Sequence, residues 1–541
     1  MSLRNIIRIN KINLLLSVLL FPVAALFAAG KDSSEVKNFL NIDDTKYSTI
    51  IIANVGDMKI TAQEFLTSYE FGPAFVKREN NSLRKYLDFM IYEKLLAKEG
   101  YSLGLDKSED LKLILSDIEG DLATEQLYRK TIWDKIKLSN TEIEKGVKKE
   151  QVSVSLKWIF RPTLVEIEKD YMAIKNGVPF DSIFNSQLSS SDSIRYEDRS
   201  MEITRFDLER KNPLLSGIVD TLKAGQISLP IKTQDGCYIV KLDNESRNMI
   251  ITESDLEKTK HDVEKVLFKE RADSLSNQYV NSLLLSTAPV IIRLTFNILK
   301  ANIAKKILPE DQFVKWDMLK NIRPDYPDFD PENITPYLKN KLVELKSGYI
   351  TLEDFLKWYK TREPYIRFNT KSHQALYESL QQTVWRMLRD KLLTETAYKM
   401  KFEKLDEVRL QKKWWQDKLV YSQMKLNIAS SIKIDENSLK DYYEKNKIRY
   451  KNDKGEFRSF EDARTDVKND LYSYEYTKKV VNKVLGLKER VKININEKAL
   501  NSLPVDIKED PTAIEVYTVK QGGTFMRQAF PTIDFEWQYW N

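Results

Sequence analysis

The sequence contains very little cysteine and histidine, the residues on which disulfides and many metal sites depend. Among 541 residues there is one cysteine, Cys237, and there are two histidines, His261 and His373. A single cysteine excludes a disulfide within this chain, so packing has to supply the stability. Three such residues are too few for a clustered His/Cys metal site. We place each histidine on a helix surface rather than in a catalytic pair. We therefore expect no metal and no cofactor.

Glycine and proline are also scarce, at 16 residues each, which favours long helices over many tight turns. Apolar residues make up 42% and charged residues 31% of the chain, as is typical of globular proteins. A unit size of about 100–200 residues predicts three or four units. The formal net charge of +6 is a weak bias and gives no reason to expect nucleic acid as a partner.

The first 29 residues are predicted to form a secretory signal peptide. Three basic residues within the first eleven positions precede an apolar run from Leu14 to Ala29, which is the order of a basic region, an apolar region and small residues. The run is short for a membrane span of about 20 residues and contains Pro22. We expect export to the periplasm with cleavage. The alternative is an anchor formed by an uncleaved N-terminal segment.

An internal repeat relates two distant parts of the chain. Residues 60–69 are ITAQEFLTSY and residues 350–359 are ITLEDFLKWY. In both, a threonine can cap a helix that has an acidic residue three positions later. The helix patterns that follow correspond as well. Each copy then closes with a capped helix, beginning TESD or SFED, and an alternating segment, VIIRLTFNIL or VKININEKAL, that is typical of a strand.

The spacing within the repeat indicates an insertion in the first copy. Ile143 and Thr252 lie 109 positions apart, whereas the matching Leu439 and Ser459 lie 20 positions apart. From Val152 the chain alternates as a strand does, in VSVSLKWIF, and two helical patterns and two further strand patterns follow. The inserted part is therefore predicted to be a small α+β domain with the order β-α-α-β-β.

The end of the inserted domain carries a recognisable pattern. Residues 222–242, LKAGQISLPIKTQDGCYIVKL, resemble the closing segment of parvulin-type peptidylprolyl isomerases. The matching residues are Leu222, Lys223, Gly225, Ile227, Ser228, Pro230, Ile231, Thr233, Gly236, Ile239, Val240 and Lys241.

The resemblance implies where an isomerase site would lie, and this chain departs from the family there. The family uses two histidines in the sheet, an aspartate or cysteine, and a Met/Phe pocket for the proline ring. The histidine positions hold Trp158 and Tyr238, and the pocket positions hold Lys211 and Leu215. Only Asp192 matches a catalytic position. We therefore expect an inactive parvulin-like domain, and an active peptidylprolyl cis-trans isomerase remains the alternative.

The whole chain resembles the SurA/PpiD/PrsA-like foldases, in which helices on both sides of a parvulin domain form a chaperone core. The segment IIIANVGDMKITAQEF is similar to the entry segment of that core. The resemblance implies a mainly α protein with one α+β parvulin-like domain and two helical chaperone-core repeats, the first interrupted by the insertion. The predicted segments are a signal peptide (1–29), an N-terminal helical chaperone segment (30–151), a parvulin-like domain (152–246), a helix returning to the first core (247–300), a linker (301–345), a second helical chaperone-core repeat (346–505) and an aromatic C-terminal tail (506–541).

The resemblance also implies the partners: unfolded client polypeptides, with outer-membrane proteins as one candidate class. Candidate client-binding aromatics are Trp358, Trp414 and Trp415, although aromatics at helical spacing are more often core residues. A structural envelope protein whose parvulin-like unit scaffolds partners is a further alternative. The aromatic residues of the tail predict burial, either in a client groove or as plain structure, and Asp534 to Trp540 alternate as in an extended strand. The oligomeric state does not follow from the sequence.

Overall fold

A computed structural model describes residues 45–77, 81–189, 194–247, 252–504, 519–520 and 527–539. The predicted signal peptide, Asp192 and most of the predicted tail lie outside these residues. None of the helices within these ranges has both the length and the apolar character that a membrane span requires.

The described part of the chain is mainly helical. Its α-helices are α1 (Thr45–Thr49), α2 (Ala62–Glu70), α3 (Ala74–Lys77), α4 (Ser82–Ser102), α5 (Glu109–Thr131), α6 (Asn140–Glu150), α7 (Leu164–Lys175), α8 (Phe180–Ser189), α9 (Arg205–Lys211), α10 (Pro213–Val219), α11 (Glu253–Thr287), α12 (Arg293–Ile307), α13 (Glu310–Lys315), α14 (Leu352–Lys360), α15 (His373–Lys399), α16 (Asp406–Ser430), α17 (Glu436–Asn446), α18 (Phe460–Arg490) and α19 (Glu497–Asn501).

Small antiparallel sheets accompany these helices. The strands are β1 (Ile51–Val55), β2 (Met58–Thr61), β3 (Val152–Arg161), β4 (Ser200–Thr204), β5 (Ile231–Lys232), β6 (Cys237–Arg247), β7 (Val290–Ile291), β8 (Lys341–Leu345), β9 (Gly348–Thr351), β10 (Ile493–Ile495), β11 (Val519–Lys520) and β12 (Arg527–Gln528). The chain divides into two compact units. Unit 2 is Lys135–Ser274, and unit 1 contains the residues before and after it.

In unit 1 the hairpin of each repeat copy is completed by the closing strand of the other copy. β10, which closes the second copy, pairs antiparallel with β1 of the first, so that Ala53 lies opposite Ile495. β7, which closes the first copy, pairs with β8 of the second, so that Ile291 lies opposite Val343. The resulting strand orders, β10-β1-β2 and β7-β8-β9, are equivalent.

The long helices of unit 1 also pack against helices of the other repeat copy. α4 of the first copy packs against α16 of the second, and α5 packs against α15. At the α4/α16 contact, the buried Lys94 Nζ lies 2.7 Å from Glu64 Oε1 and 2.7 Å from Asp417 Oδ2. This ionic triad joins α2 and α4 of the first copy to α16 of the second.

One prediction about unit 1 needs correction. The segment 290–299 was expected to alternate as a strand, but the strand ends at Ile291 and α12 begins at Arg293. Residues 295–304 of α12 are all buried, and a helix that is covered on every side lacks the one-sided apolar stripe by which sequence reveals a helix. Residues 301–345, predicted as a linker, contain the end of α12, all of α13 and β8.

Unit 2 contains a four-stranded antiparallel sheet with the order β4-β3-β6-β5. The predicted order β-α-α-β-β omitted β4 (Ser200–Thr204) and the short helix α9 that follows it. β4 lies at the edge of the sheet, and Ser200, Met201 and Glu202 are at best half-buried, so its sequence shows no clear alternation. The first helical pattern after β3 forms two helices, α7 and α8.

Candidate functional site

The candidate site is one face of the sheet in unit 2. Trp158 lies opposite Val240, and Phe160 lies opposite Tyr238, on the adjacent strands β3 and β6. Because side chains alternate along a strand and paired residues point to the same side, all four belong to one face. This face therefore brings together Trp158 and Tyr238, the residues that the sequence resemblance aligns with the two histidines of the parvulin family.

Tyr238 is engaged in a local hydrogen bond. Its hydroxyl donates to Asp235 Oδ2 at 2.5 Å. Partial burial, together with the hydrogen bond to Asp235, raises the pKa of Tyr238 to about 12. Hydrogen bonds from Thr233 and then Tyr238 hold the pKa of Asp235 below its ordinary value. At neutral pH the pair is a neutral phenol and a carboxylate, so Tyr238 is no general base there.

Phe160 and Arg199 form a wall beside Tyr238. The Phe160 and Tyr238 ring centroids are 5.0 Å apart, and the Arg199 guanidinium carbon lies 5.0 Å from the Phe160 centroid. The turn into β6 passes very close to this ring, because a Cβ added to Gly236 would lie 2.3 Å from Phe160 Cε2. Gly236 also has φ +151°, which a residue with a side chain rarely adopts.

The structure brings Trp158 and Leu215 into one apolar cluster and separates Lys211 from it. Trp158 and Leu215 are half-buried. They pack with the buried residues Val154, Leu156, Leu208, Val219, Val240 and Leu242. Lys211 is exposed and its Nζ lies 2.7 Å from Asp207 Oδ2. Of the two predicted pocket residues, only Leu215 therefore contributes to the apolar surface, and Asp192 lies outside the described residues.

The other face of the sheet is closed. Cys237 is buried in an apolar cluster with Ile159, Ile239 and Phe184, which suits a small hydrophobic residue rather than a nucleophile. Charged side chains are paired with one another on the same strands: Lys157 Nζ lies 2.9 Å from Asp243 Oδ2.

The predicted client-binding tryptophans lie in unit 1, where they are buried or hydrogen-bonded within the chain. Trp358 Nε1 donates to Asp390 Oδ2 at 3.2 Å. Trp414 and Trp415 on α16 are 5% and 8% exposed. The Arg527 guanidinium carbon lies 5.5 Å from the Trp415 ring centroid. A client-binding role for these three residues stays a prediction.

Three residues of this site were not predicted from the sequence: Phe160, Arg199 and Asp235. Phe160 could have been predicted, because it lies two positions after Trp158 on an alternating strand and therefore shares the face of Trp158. Asp235 lies in the turn before Tyr238, but the hydrogen bond between their side chains depends on the turn geometry.

Neither histidine belongs to the sheet of unit 2. His261 lies on α11, and His373 is the exposed first residue of α15, with its Nε2 3.2 Å from Lys300 Nζ. Within the described ranges, no group of three or more His, Cys, Asp or Glu side chains is arranged to hold a metal ion.

The chain resembles solved structures of PrsA. One is PrsA from Bacillus subtilis, with 18% identity over 42% of this chain and 91% of that chain and a TM-score of 0.15. Another is the peptidylprolyl isomerase PrsA from Bacillus cereus, with 16% identity over 48% of this chain and 94% of that chain and a TM-score of 0.20. No protein-family model and no curated protein sequence matches the chain.

Proposed function

We propose that this protein is a polypeptide-binding chaperone of the foldase type whose parvulin-like domain lacks isomerase chemistry. The observation that carries the proposal is the aromatic face of the sheet in unit 2, where Phe160 lies opposite Tyr238 and shares its face with Trp158. The resemblance aligns Trp158 and Tyr238 with the two family histidines. Half-buried aromatic rings offer apolar contact area with a polar edge, which suits extended polypeptide.

Exposed apolar residues of the same unit support polypeptide binding. Leu214 at the start of α10 is 65% exposed, and Leu229 before β5 is 71% exposed. Large apolar side chains in water forgo about 1.5–3 kcal/mol each, and we propose that these two leucines contact a client.

The arrangement of Tyr238 argues against catalysis. Rotation about a prolyl amide has a barrier of about 18–20 kcal/mol, and an enzyme lowers it by favouring the twisted state. The one proton that Tyr238 could donate to a twisted amide is already donated to Asp235. We therefore propose that prolyl polypeptide binds to this face without faster isomerisation.

In this proposal the mature chain works in the periplasm after removal of residues 1–29. Its clients are unfolded polypeptides, with outer-membrane proteins as a candidate class. Unit 1 is proposed to consist of two chaperone-core repeats, the first interrupted by the parvulin-like domain. The reciprocal strand pairings β1–β10 and β7–β8 support this arrangement.

We expect residues 30–541 to suppress the aggregation of a denatured client on dilution, measured by light scattering. The double variant Leu214→Ser/Leu229→Ser should need a several-fold higher concentration for the same effect, because it removes exposed apolar contacts of unit 2 without changing its core.

Leu426→Ser is the matched control, since Leu426 is 60% exposed but lies on α16 of unit 1. Absence of suppression by the unaltered chain would contradict the chaperone role. Equal suppression by the double variant and the control would contradict client binding by unit 2. Purification with one fixed partner at constant stoichiometry would instead support a scaffold.

A further inference from the structure

Within residues 527–539, called here the terminal segment, residues 531–537 lie in a groove of unit 1 between α4 and α16, and Arg527 pairs with Asp121 on α5. The alternation of Asp534 to Trp540 predicted an extended strand, but Phe535–Tyr539 form a 3-10 helix. With about three residues per turn, this helix places Asp534 and Trp537 on one side, where both contact the groove. The predicted strand is therefore wrong for this part of the segment.

The first anchor of the terminal segment is Asp534. Its carboxylate accepts hydrogen bonds from Lys418 Nζ at 2.7 Å, Lys425 Nζ at 2.6 Å and the Tyr421 hydroxyl at 2.8 Å, all from α16. Burial alone would raise the pKa of Asp534, but the two ammonium groups hold it well below its ordinary value. The groove thus provides a cationic receptor for one carboxylate.

The second anchor is Trp537, which is 2% exposed. Its Nε1 donates to Glu93 Oε1 on α4 at 2.9 Å, and the backbone N of Asp534 donates to the same oxygen at 2.8 Å. The indole ring is stacked at 5.9 Å from Phe89 and lies edge-on at 5.8 Å from Tyr92. The groove thus provides an aromatic pocket with a single carboxylate acceptor.

The corresponding place in the second repeat copy is filled by that copy's own helix. Residues 93–96 are EKLL and residues 390–393 are DKLL, so Asp390 corresponds to Glu93. Asp390 accepts a hydrogen bond from the indole of Trp358, and the repeat puts Ser68 where the second copy has Trp358. In the first copy a small residue therefore replaces the tryptophan, and the terminal segment supplies the indole.

The terminal segment does not fill the groove completely. A cavity of about 40 Å³ remains beside Pro531–Ile533, and Ser68, Met90 and Trp414 are among its lining residues. This volume has room for water molecules and opens to solvent. The incomplete fit is expected of a groove that accepts more than one sequence.

We propose that the α4/α16 groove is a polypeptide-binding site that recognises a carboxylate three residues before a tryptophan, D-x-x-W, in a segment that forms a 3-10 turn. The terminal segment occupies the site as an internal ligand, and a client segment of the same chemistry replaces it. The client part of this proposal rests on the proposed chaperone function. Recognition combines the half-buried ion pairs of Asp534, which favour specificity, with the buried indole of Trp537, which favours affinity.

The test uses the full mature chain with a protease site inserted between Gly523 and Thr524 and cleaved after folding. A fluorescent peptide with the sequence of residues 527–539 is then added, and anisotropy is measured. We expect saturable exchange into the cleaved chain, with circular dichroism unchanged. A peptide carrying Asp534→Ala and Trp537→Ala should bind at least about 10-fold more weakly. A control peptide with Gln528→Ala and Gln538→Ala should bind as the parent does, because both glutamines are exposed.

Three results would overturn the proposal: loss of helix on cleavage, no exchange of the segment, or equal binding of the two altered peptides. If the inserted site prevents folding, the uncut chain carrying Asp534→Ala and Trp537→Ala replaces it as the receptor. That variant is expected to bind the peptide more tightly than the unaltered chain, and equal binding would overturn the proposal.

The outcomes also separate the groove from the chaperone role. Peptide exchange without suppression of client aggregation would leave the groove as a site for this chain's own segment and end the proposed function. Suppression of aggregation without peptide exchange would keep the proposed function and end the groove proposal.

Discussion

Replacement of Lys94 by methionine is expected to lower the free energy of unfolding by about 3–5 kcal/mol, because it leaves two buried carboxylates without their cation. Lys94, Glu64 and Asp417 are each less than 10% exposed. Burial by itself would lower the pKa of Lys94, but Glu64 and Asp417 together raise it above its ordinary value. Burial raises the pKa of Glu64, whereas Lys94 and Lys413 hold the pKa of Asp417 down despite its burial. Lys94 lies equally close to both carboxylates, and Lys413 also supports the charge of Asp417.

The loss in the Lys94→Met variant should depend on pH. Without the ammonium group, the folded state would hold protons on the buried carboxylates more tightly than the unfolded state does. Stability of the variant relative to the unaltered chain should then rise as the pH falls from 7 towards 4.5, the ordinary pKa of glutamate. Urea unfolding at several pH values measures this dependence.

Lys98→Met is the matched control for Lys94→Met. Lys98 also lies on α4, but its partner Asp57 is 81% exposed. Loss of an exposed pair costs about 0–1 kcal/mol. Equal losses in the two variants, or a loss at Lys94 that does not change with pH, would contradict the buried triad.

Gly236→Ala is expected to destabilise unit 2 by about 2–4 kcal/mol. Part of the loss is backbone strain at φ +151°, of the order of 1–3 kcal/mol. The rest is steric, because the new Cβ would lie 2.3 Å from Phe160 Cε2 and 2.8 Å from the Arg161 carbonyl oxygen. Hydrogen exchange of peptides from residues 152–247 measures the effect within the full chain.

Gly217→Ala is the control for this substitution. Gly217 lies on α10, and a Cβ added there would have no atom within 4 Å. An alanine in a helix is favoured over glycine by about 0.5–1 kcal/mol, so this variant should be unchanged or slightly more stable. Unchanged protection in Gly236→Ala would mean that the turn before Tyr238 does not approach Phe160 as described.

Local signals in the sequence predicted local structure well. The threonines and the serine expected to cap helices do so: Thr61, Thr252, Thr351 and Ser459 each accept a hydrogen bond from the backbone N–H three residues later. A mainly helical chain with a small α+β part was also predicted, and the described residues agree with it. These features depend on a few neighbouring residues, which a pattern can identify.

Long-range partners could not be predicted in the same way. Glu64 was expected to complete a capping box at Thr61, but its carboxylate binds Lys94. The exchange of closing strands between the repeat copies was not predicted. An alternating pattern identifies a strand but does not say which strand pairs with it. The indole of Trp537 donates a hydrogen bond to Glu93, which lies more than 400 positions away in the sequence.

The candidate site was predicted in part. The motif of residues 222–242 identified the positions of Tyr238 and Gly236, and strand alternation placed Trp158 on a sheet. The hydrogen bond that engages the Tyr238 proton depends on the conformation of a short turn, and the aromatic wall of Phe160 and Arg199 depends on strand register.

The central claim is that the parvulin-like face binds prolyl polypeptide without isomerising it. Two-dimensional exchange NMR on a proline-containing peptide, with the mature chain added, tests this claim most directly. Binding should shift the peptide resonances, while cis-trans exchange stays near the uncatalysed rate, with times of tens to hundreds of seconds. Tyr238→His alone should not increase the rate, since Trp158 and Lys211 also depart from the family pattern. Saturable acceleration of exchange by the unaltered chain, or unshifted peptide resonances, would contradict the proposed function.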